Sequence, residues 1–326
     1  MLKNTKSWIF VEKGLKGTEN QCIALADALE LETDIKHPNL RAPWTWAAPF
    51  LKFGKSLAYK NGNDLFTPPF PPVVISAGRK SILAAMEIKR LSQDKTFVIH
   101  VLDPRISAKH FDLVIAPEHD PIHGENVISI QGALHRITPD FLNTYKGHYY
   151  DEISNLTDPK IAVLIGGSTT KSEFTTDMAH TLGKDLAKAA QNCSGSLLIT
   201  ASRRTGQEQE NILRDAVKDT PLHFWDGQGE NPYFDYLQSA SYIIVTNDSV
   251  SMACEAMGSG KPVYIARIGT QGRRIERFHE LLLQKNAVKP FNAVLEDWQP
   301  PQSNDMMRVC QIIKERFNTH QTALKD

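Results

Sequence analysis

A run of small polar residues follows the apolar stretch Tyr242–Val245 and precedes a predicted helix at Val250–Met257. In a βαβ unit such a turn lies at the carboxyl edge of the sheet, where open α/β sheets bind ligands. Ser249 and Ser251 stand at the start of the helix, where free backbone N–H groups and the positive end of the helix dipole attract anions. The pattern therefore predicts a phosphate site at this turn.

Asp248, Ser251, Glu255 and Ser259 are separated by three, four and four residues, so they share one face of this helix. The carboxylate of Glu255 then lies one turn beyond the phosphate site, where it could accept hydrogen bonds from both hydroxyls of a ribose. A solvated helix face, with Asp248 or Ser249 as the N-cap, would give the same spacing. Both interpretations stay open at this point.

Two further loops of the second half follow predicted strands. After the strand at Ile161–Ile165, the Gly-Gly-Ser-Thr sequence at 166–169 combines glycines, which let a backbone approach a ligand, with the hydroxyl of Ser168. Arg203 and Arg204 follow the next strand, and the guanidinium fork suits a diphosphate. A plain tight turn and a pair of solvated arginines are the alternatives. Since parallel strands end at one edge, we expect the three loops to converge.

The chain lacks the motifs of nicotinamide chemistry. No G-x-G-x-x-G sequence is present, and none of the eight tyrosines is followed four residues later by lysine, the catalytic pair of short-chain NAD-dependent epimerases. Redox chemistry on NAD is therefore disfavoured. Glu118, His119, Asp120 and His123 form a polar cluster without a clear set of further ligands, so we predict a polar loop there and no metal site.

Composition and periodicity set the architecture. The 326 residues include 37 basic and 37 acidic side chains with no basic block, which argues against a nucleic-acid partner. Strand and helix signals alternate throughout, which predicts an α/β fold, and the length favours two domains. The polar stretch 145–160 predicts a domain boundary, which gives an N-terminal domain at 1–150 and a C-terminal domain at 151–302. A last helix at 303–326 is expected to return to the N-terminal domain. The absence of an apolar span, of a signal peptide and of paired cysteines predicts a cytoplasmic protein.

An aromatic segment with interleaved basic residues runs from Trp44 to Phe53 and includes Trp46 and Phe50. Such a segment can rest on a membrane surface, here the inner face, or receive an apolar acceptor. Packing against the neighbouring domain is the alternative interpretation.

With these residues assembled, the chain resembles the elongated-mitochondria family of mitochondrial fission proteins and its bacterial relatives. The resemblance covers nearly the whole sequence. It is carried by Gly17-Thr-Glu-Asn-Gln, Leu40-Arg-Ala-Pro-Trp, Ile75-Ser-Ala-Gly-Arg, Leu102-Asp-Pro-Arg, Ala116-Pro-Glu-His-Asp, Gly132-Ala-Leu-His-Arg, Leu164-Ile-Gly-Gly-Ser, Ala201-Ser-Arg-Arg-Thr-Gly, Trp225-Asp-Gly-Gln-Gly-Glu-Asn-Pro-Tyr and Thr246-Asn-Asp-Ser-Val-Ser-Met. Plant members of this family recruit a dynamin-related protein to the mitochondrial surface. Bacterial members have been labelled nucleoside-diphosphate-sugar epimerases, which the missing NAD motifs contradict.

The second half also looks like the donor domain of GT-B glycosyltransferases such as the lipid-linked N-acetylglucosaminyltransferase of peptidoglycan synthesis. In that enzyme a helix glutamate binds the donor ribose, and Glu255, before Ala256-Met-Gly-Ser-Gly-Lys-Pro, occupies the matching place. Its glycine loop resembles Lys16-Gly17-Thr18-Glu19, although this loop lacks the second glycine and the histidine found there. The resemblance implies two Rossmann-like domains facing across a cleft.

The same resemblance implies a role for each candidate residue. A nucleoside-diphosphate sugar would be the donor substrate, with no further cofactor and no metal, and a cell-envelope or lipid-linked molecule the acceptor. A non-catalytic scaffold that keeps the fold and recruits a partner is the alternative function. The expected residues are Ser168, Arg203, Arg204, Ser249 and Ser251 for the diphosphate, Glu255 for the ribose, Gly17, Thr18, Arg79 and Arg105 on the acceptor side, and Glu19 or Asp103 as the base.

Overall fold

A computed structural model describes residues 2–47 and 58–324 of the chain. The chain divides into an N-terminal unit, Met1–Arg136 with Asn304–Asp326, and a C-terminal unit, Ile137–Ser303. The division falls before the 150/151 boundary that the sequence predicts. The reason is that Gln238 Nε2 donates to the carbonyl oxygens of Leu142 at 2.7 Å and Tyr145 at 2.9 Å, which attaches this stretch to the C-terminal unit.

Each unit is built on a parallel sheet of six strands. The strands are β1 Lys6–Val11, β2 Glu32–Lys36, β3 Val73–Ala77, β4 Phe97–Val101, β5 Leu113–Pro117, β6 Val127–Ile130, β7 Lys160–Ile165, β8 Ser196–Ala201, β9 Leu222–Phe224, β10 Tyr242–Thr246, β11 Val263–Ala266 and β12 Lys289–Pro290. The spatial orders are β2-β1-β3-β4-β5-β6 and β12-β11-β10-β7-β8-β9.

Helices connect the strands and cover the sheets. They are α1 Lys16–Ala28, α2 Trp44–Ala47, α3 Gly62–Phe66, α4 Ile82–Leu91, α5 Pro139–Thr144, α6 Tyr150–Ser154, α7 Thr176–Cys193, α8 Gln207–Val217, α9 Tyr233–Ser239, α10 Val250–Gly258, α11 Arg273–Gln284 and α12 Asp305–Ala323, with a 3-10 turn at Ala108–His110. All residues of β3, β4, β5, β7 and β10 are buried, as expected for parallel strands that are covered on both faces.

Apolar packing joins the last helix to the N-terminal unit. Val309, Ile313 and Phe317 of α12 are buried in the same core cluster as Ile9 of β1. The ring of Phe317 meets that of Phe97 edge to face at 5.8 Å. The helix that begins near residue 303 therefore does return to the first unit.

The order of the strands locates the candidate binding edges. In the C-terminal unit the chain builds outward from β7 to β8 and β9, then restarts on the other side of β7 with β10. In the N-terminal unit the corresponding reversal lies between β1 and β3. Ligands of open α/β sheets bind outside the carboxyl ends of the strands at such reversals.

Candidate functional site

The three loops of the C-terminal unit that the sequence singles out meet at the buried carboxylate of Asp248. The N–H of Gly167 donates to Oδ2 at 3.0 Å, and the hydroxyl of Thr246 donates to Oδ1 at 2.7 Å. Arg204 Nη2 lies 2.7 Å from Oδ2, and the carboxylate is fully shielded from solvent. Asp248 thus ties together the ends of β7, β8 and β10, a role that the sequence analysis did not assign to it.

The two glycines after β7 are required by this packing. A Cβ on Gly166 would stand 2.0 Å from Asp248 Oδ2, and one on Gly167 would stand 2.0 Å from the carbonyl oxygen of Arg204. Side chains at either position would push the loops apart. From the sequence we expected these glycines to let a ligand approach the backbone. In the structure they instead let the loops that carry Asp248 and Arg204 approach it.

Arg203 and Arg204 have different surroundings. Besides its ion pair with Asp248, Arg204 donates through Nη1 to the carbonyl oxygens of Gly167 at 3.3 Å and Ser168 at 3.2 Å, so much of its guanidinium holds the loops in place. Arg203 is exposed, and its side chain has no hydrogen bond or ion pair with the other described residues. Arg203 is therefore the arginine whose charge is available to a ligand.

Ser249 is the N-cap of α10, with extended backbone angles and a hydroxyl that accepts from the N–H of Met252 at 3.3 Å. Of the two caps that the sequence left open, the structure has Ser249. The N–H groups of Val250 and Ser251 have no acceptor within the helix, because first-turn donors never do. No acidic residue stands in that turn, so the positive end of the helix remains available to an anion.

Ser168 follows Gly167, whose N–H donates to Asp248 directly before the N-cap of α10. Its backbone N–H donates to the carbonyl oxygen of Arg204 at 3.0 Å, and its hydroxyl accepts from the N–H of Phe174 at 3.0 Å. The hydroxyl proton is not engaged by that contact, so Ser168 can still donate to an anion.

Glu255 is half-buried on α10, and the hydroxyl of Tyr233 donates to its Oε2 at 2.6 Å. Burial, reinforced by the nearby Glu255 carboxylate, raises the pKa of Tyr233 well above its usual range, so the phenol stays protonated. A carboxylate oriented in this way can accept from sugar hydroxyls. Sequence reasoning missed Tyr233, although the Asn-Pro-Tyr sequence at the start of α9 belongs to one of the matching stretches.

In the N-terminal unit, Glu19 is buried in the first turns of α1, and Lys16 Nζ lies 2.7 Å from its Oε1. Gly17 and Thr18 belong to the same turn, because α1 begins at Lys16 after Leu15 and without a side-chain cap. The carboxylate of Glu19 therefore already has a cationic partner, Lys16, in the same turn of the helix.

Asp103 and Arg105 follow β4 and pair with each other. Arg105 donates through its backbone N–H to Asp103 Oδ1 at 2.8 Å, and its Nε lies 3.2 Å from Oδ2. Arg79, after β3, is exposed and donates to the carbonyl oxygen of Thr45 at 3.4 Å. The charges of Asp103 and Arg105 thus offset each other.

A contact that sequence reasoning missed bridges the reversal point of this sheet. Lys80 donates to Glu12 Oε1, which joins the loop after β3 to the loop after β1. Glu12 follows β1 and Lys80 lies after β3, and only the strand order shows that these two loops are neighbours.

The remaining sequence candidates have the following surroundings. Trp46 is 79% exposed and Trp44 is half-buried against a core cluster, whereas Phe50 and Phe53 lie outside the described residues. His119 and Asp120 are buried.

In the part of the chain that the structure describes, no three His, Cys, Asp or Glu side chains are grouped to hold a metal ion. Across residues 2–47 and 58–324, no helix has the length and apolarity needed to cross a membrane.

Solved structures with similar folds are glycosyltransferases and epimerases. MurG of Acinetobacter baumannii has a TM-score of 0.54 at 13% identity, over 95% of this chain and 99% of that one. A glycosyltransferase of Rickettsia africae has a TM-score of 0.54 at 11% identity, over 98% and 92%. A UDP-GlcNAc 2-epimerase of Methanocaldococcus jannaschii, solved with UDP-GlcNAc and UDP, has a TM-score of 0.53 at 13% identity, over 95% and 99%. The predicted GT-B-like fold of two Rossmann-like domains is confirmed.

Relatives in sequence identify the family. The mitochondrial fission protein ELM1 of Arabidopsis thaliana is 30% identical over 72% of this chain, and the match spans 61% of the length of that relative. An uncharacterized protein of Rickettsia prowazekii, RP120, is 29% identical over 75% of this chain and 79% of its own length. The family model described as Mitochondrial fission ELM1 matches residues 16–317. The chain therefore belongs to the mitochondrial fission ELM1 family, as the resemblance of its motifs predicts.

Proposed function

We propose that the C-terminal unit binds a nucleoside-diphosphate sugar and that the chain is a GT-B-type glycosyltransferase. One observation carries the proposal: the helix start at Ser249–Ser251, the loop after β8 and the carboxylate of Glu255 lie at one edge of one sheet, and Asp248 holds the loops in register. A helix N-terminus and a cationic loop suit a diphosphate, and a carboxylate further along the helix suits the hydroxyls of a ribose.

The diphosphate would lie at the start of α10. The N–H groups of Val250 and Ser251 donate to its oxygens, and the hydroxyls of Ser249 and Ser168 add donors. Arg203 supplies the mobile positive charge, while Arg204 stays fixed by Asp248.

The ribose would lie further along α10, where Glu255 accepts hydrogen bonds from its hydroxyls. Tyr233 holds one oxygen of that carboxylate, so the side chain need not be ordered when the ligand binds. The fold neighbours solved with UDP or UDP-GlcNAc support a nucleotide of this class.

In the transfer, an acceptor hydroxyl attacks the anomeric carbon as the diphosphate leaves, and a base takes the hydroxyl proton. We assign the base to Glu19 or Asp103, and the acceptor contacts to the loops that carry Gly17, Thr18, Arg79 and Arg105. Glu19→Gln and Asp103→Asn test the two candidates separately: the variant that removes the base should lower kcat strongly, and the other should leave it close to the parent value.

We further propose a cytoplasmic protein that contacts the inner face of the membrane through the segment that includes Trp46. A tryptophan that is 79% exposed suits the interface between lipid headgroups and water. Such a position would bring the enzyme to a lipid-linked acceptor.

A scaffold is the second candidate function, and the name of the Arabidopsis relative, a mitochondrial fission protein, favours it. A scaffold would keep the fold while its surface recruits a partner, and it would have no need of a nucleotide.

A ligand screen separates the two functions. We expect one nucleoside diphosphate to raise the melting temperature, because a ligand that binds only the folded chain stabilises it. Glu255→Ala should remove the shift, whereas Glu280→Ala, which changes an exposed acid of the same unit, should not. NMR of a mixture with the matching sugar nucleotide then reports transfer, hydrolysis or epimerisation. A chain that responds to no nucleotide would be a scaffold.

A further inference from the structure

Positive charge is concentrated at the start of α11, outside the diphosphate site proposed above. Residues 267–277 contain four arginines and one glutamate in a chain whose net charge is zero. The glutamate, Glu276, is already used: it pairs with Arg267 at 3.0 Å and accepts from the N–H of Gln271 at 2.7 Å. One glutamate therefore offsets only part of the positive charge of residues 267–277.

Lys171 adds a further cation at the same helix end. A Cβ on Gly272, the N-cap of α11, would stand 3.3 Å from Lys171 Nζ and 2.9 Å from its Cδ, so the lysine chain lies across the helix start. The side chains of Lys171 and Arg273 have no ion pair or hydrogen bond with other described residues. Glu276 in the first turn offsets part of the positive end of the helix, whereas the ammonium of Lys171 adds to it, so an anion bound there would be attracted by both the helix end and the lysine.

Gln271 provides an independent sign of a ligand. It directly precedes Gly272 and is only 6% exposed, yet among the described residues neither Oε1 nor Nε2 of its amide has a hydrogen-bond partner. A buried amide without partners is costly, and such groups in folded proteins are rare. Its backbone N–H donates to Glu276 in the first turn, so Gln271 is attached to the helix start.

This helix start neighbours the diphosphate site. Strands β10 and β11 are adjacent, with Thr246 opposite Ala266, so the loops that follow them lie about one strand spacing apart. Asn247 joins the two loops: its Nδ2 donates to the carbonyl oxygen of Gly269 at 3.0 Å, and its Oδ1 accepts from the N–H of Ile268 at 2.9 Å. A sugar attached to a diphosphate at α10 can reach α11.

We infer that the sugar of the donor carries an acidic group, a carboxylate as in a hexuronic acid, and that Lys171, Arg273 and the amide of Gln271 bind it at the start of α11. The inference rests on the proposed function, and it names the class of sugar. The diphosphate itself is accounted for by the α10 start and Arg203, which leaves the second cationic site for a second anion.

Matched sugar nucleotides test the inference by calorimetry. UDP-glucose and UDP-glucuronic acid differ only at C6, and GDP-mannose with GDP-mannuronic acid forms the corresponding pair if guanine is the preferred base. We expect the acidic member to bind about 10- to 100-fold more tightly, as one or two charge-assisted hydrogen bonds would give. Lys171→Gln and Arg273→Gln should each remove about tenfold of that affinity and leave the neutral member unchanged. Lys188→Gln, an exposed lysine of α7, is the control.

Three other outcomes of the calorimetry would overturn the inference. Equal affinity of the parent for both members of the pair means that no acid is recognised, while nucleotide binding itself survives. Equal losses for both members in the Lys171 and Arg273 variants assign these cations to the diphosphate instead. If neither pair nor any free nucleoside diphosphate binds, the proposed function fails together with the acidic sugar.

Discussion

Replacing Asp248 by alanine tests whether this carboxylate holds the loops of the candidate site together. The change removes the acceptor of two buried donors, the N–H of Gly167 and the hydroxyl of Thr246, and one partner of Arg204. A buried donor that loses its acceptor costs about 1–3 kcal/mol. The Thr246 hydroxyl also lies 3.5 Å from the carbonyl oxygen of Leu164, which limits its share.

Arg204 contributes less than these donors. Its side chain is 45% exposed, so water replaces the lost carboxylate, and exposed ion pairs are worth about 0–1 kcal/mol. We therefore expect Asp248→Ala to lower the free energy of unfolding by about 3 kcal/mol. Asp248→Asn, which keeps one acceptor oxygen, should cost about half of that, and Arg204→Gln no more than about 1 kcal/mol.

Hydrogen exchange is the suitable assay, because a chain with two units need not unfold in one step. Amides of β7 and β10 should exchange faster in Asp248→Ala, while those of β3 in the other unit should keep the parent rate. The reasoning is refuted if Asp248→Ala stays within about 0.5 kcal/mol of the parent, or if Arg204→Gln costs more than Asp248→Ala, since the ion pair would then dominate.

Three further predictions follow from individual contacts. Gly167→Ala should destabilise the C-terminal unit by about 1–3 kcal/mol in urea unfolding, because its Cβ would stand 2.0 Å from the carbonyl oxygen of Arg204; an unchanged midpoint would contradict this close approach. Burial lowers the pKa of Lys261 from 10.5 to about 8, so between these pH values the unfolded chain binds more protons and the free energy of unfolding should rise with pH; a rise equally large in Lys261→Met would exclude the lysine as its source. Trp46→Ser should reduce co-sedimentation with vesicles of phosphatidylglycerol and phosphatidylcholine, whereas Met307→Ser, which is also at an exposed residue, should not; equal pelleting of all three chains would remove the membrane proposal.

Apolar runs made much of the fold predictable. The strand expected at Tyr242–Val245 is β10, Tyr242–Thr246, and the one expected at Ile161–Ile165 is β7, Lys160–Ile165. These strands are buried on both faces, and their sequences are correspondingly apolar throughout. The edge strand β2, Glu32–Lys36, was not predicted. Four of its five residues are polar and none is fully buried, so its sequence resembles that of an exposed loop.

The helix starts were less predictable than the strands. Thr18 followed by Gln21 suggests a capping box, yet α1 begins at Lys16, and Gln21 instead donates to the carbonyl oxygen of Gly17 and accepts from the N–H of Leu134. A distant backbone group thus competes for the side chain that the local pattern assigns to the cap. Thr18 and Gln21 therefore do not form the capping box that their spacing suggests.

The convergence of the three loops was predictable, whereas the contacts between them were less so. Residue types at strand ends identified the three loops, since parallel strands share an edge. No local pattern indicates that Asp248 accepts from Gly167, or that Tyr233 donates to Glu255, because these partners lie 81 and 22 residues apart in the chain. Such pairs depend on the strand order, which the periodicity of the sequence does not specify.

The most direct test of the proposed function is a crystal structure of the chain with the nucleoside diphosphate that the melting screen selects. The account predicts phosphate density at the N–H groups of Val250 and Ser251 and a ribose whose hydroxyls lie within about 3 Å of the Glu255 carboxylate. Density for the nucleotide at another edge of the sheets, or a ribose that makes no hydrogen bond with Glu255, would contradict it.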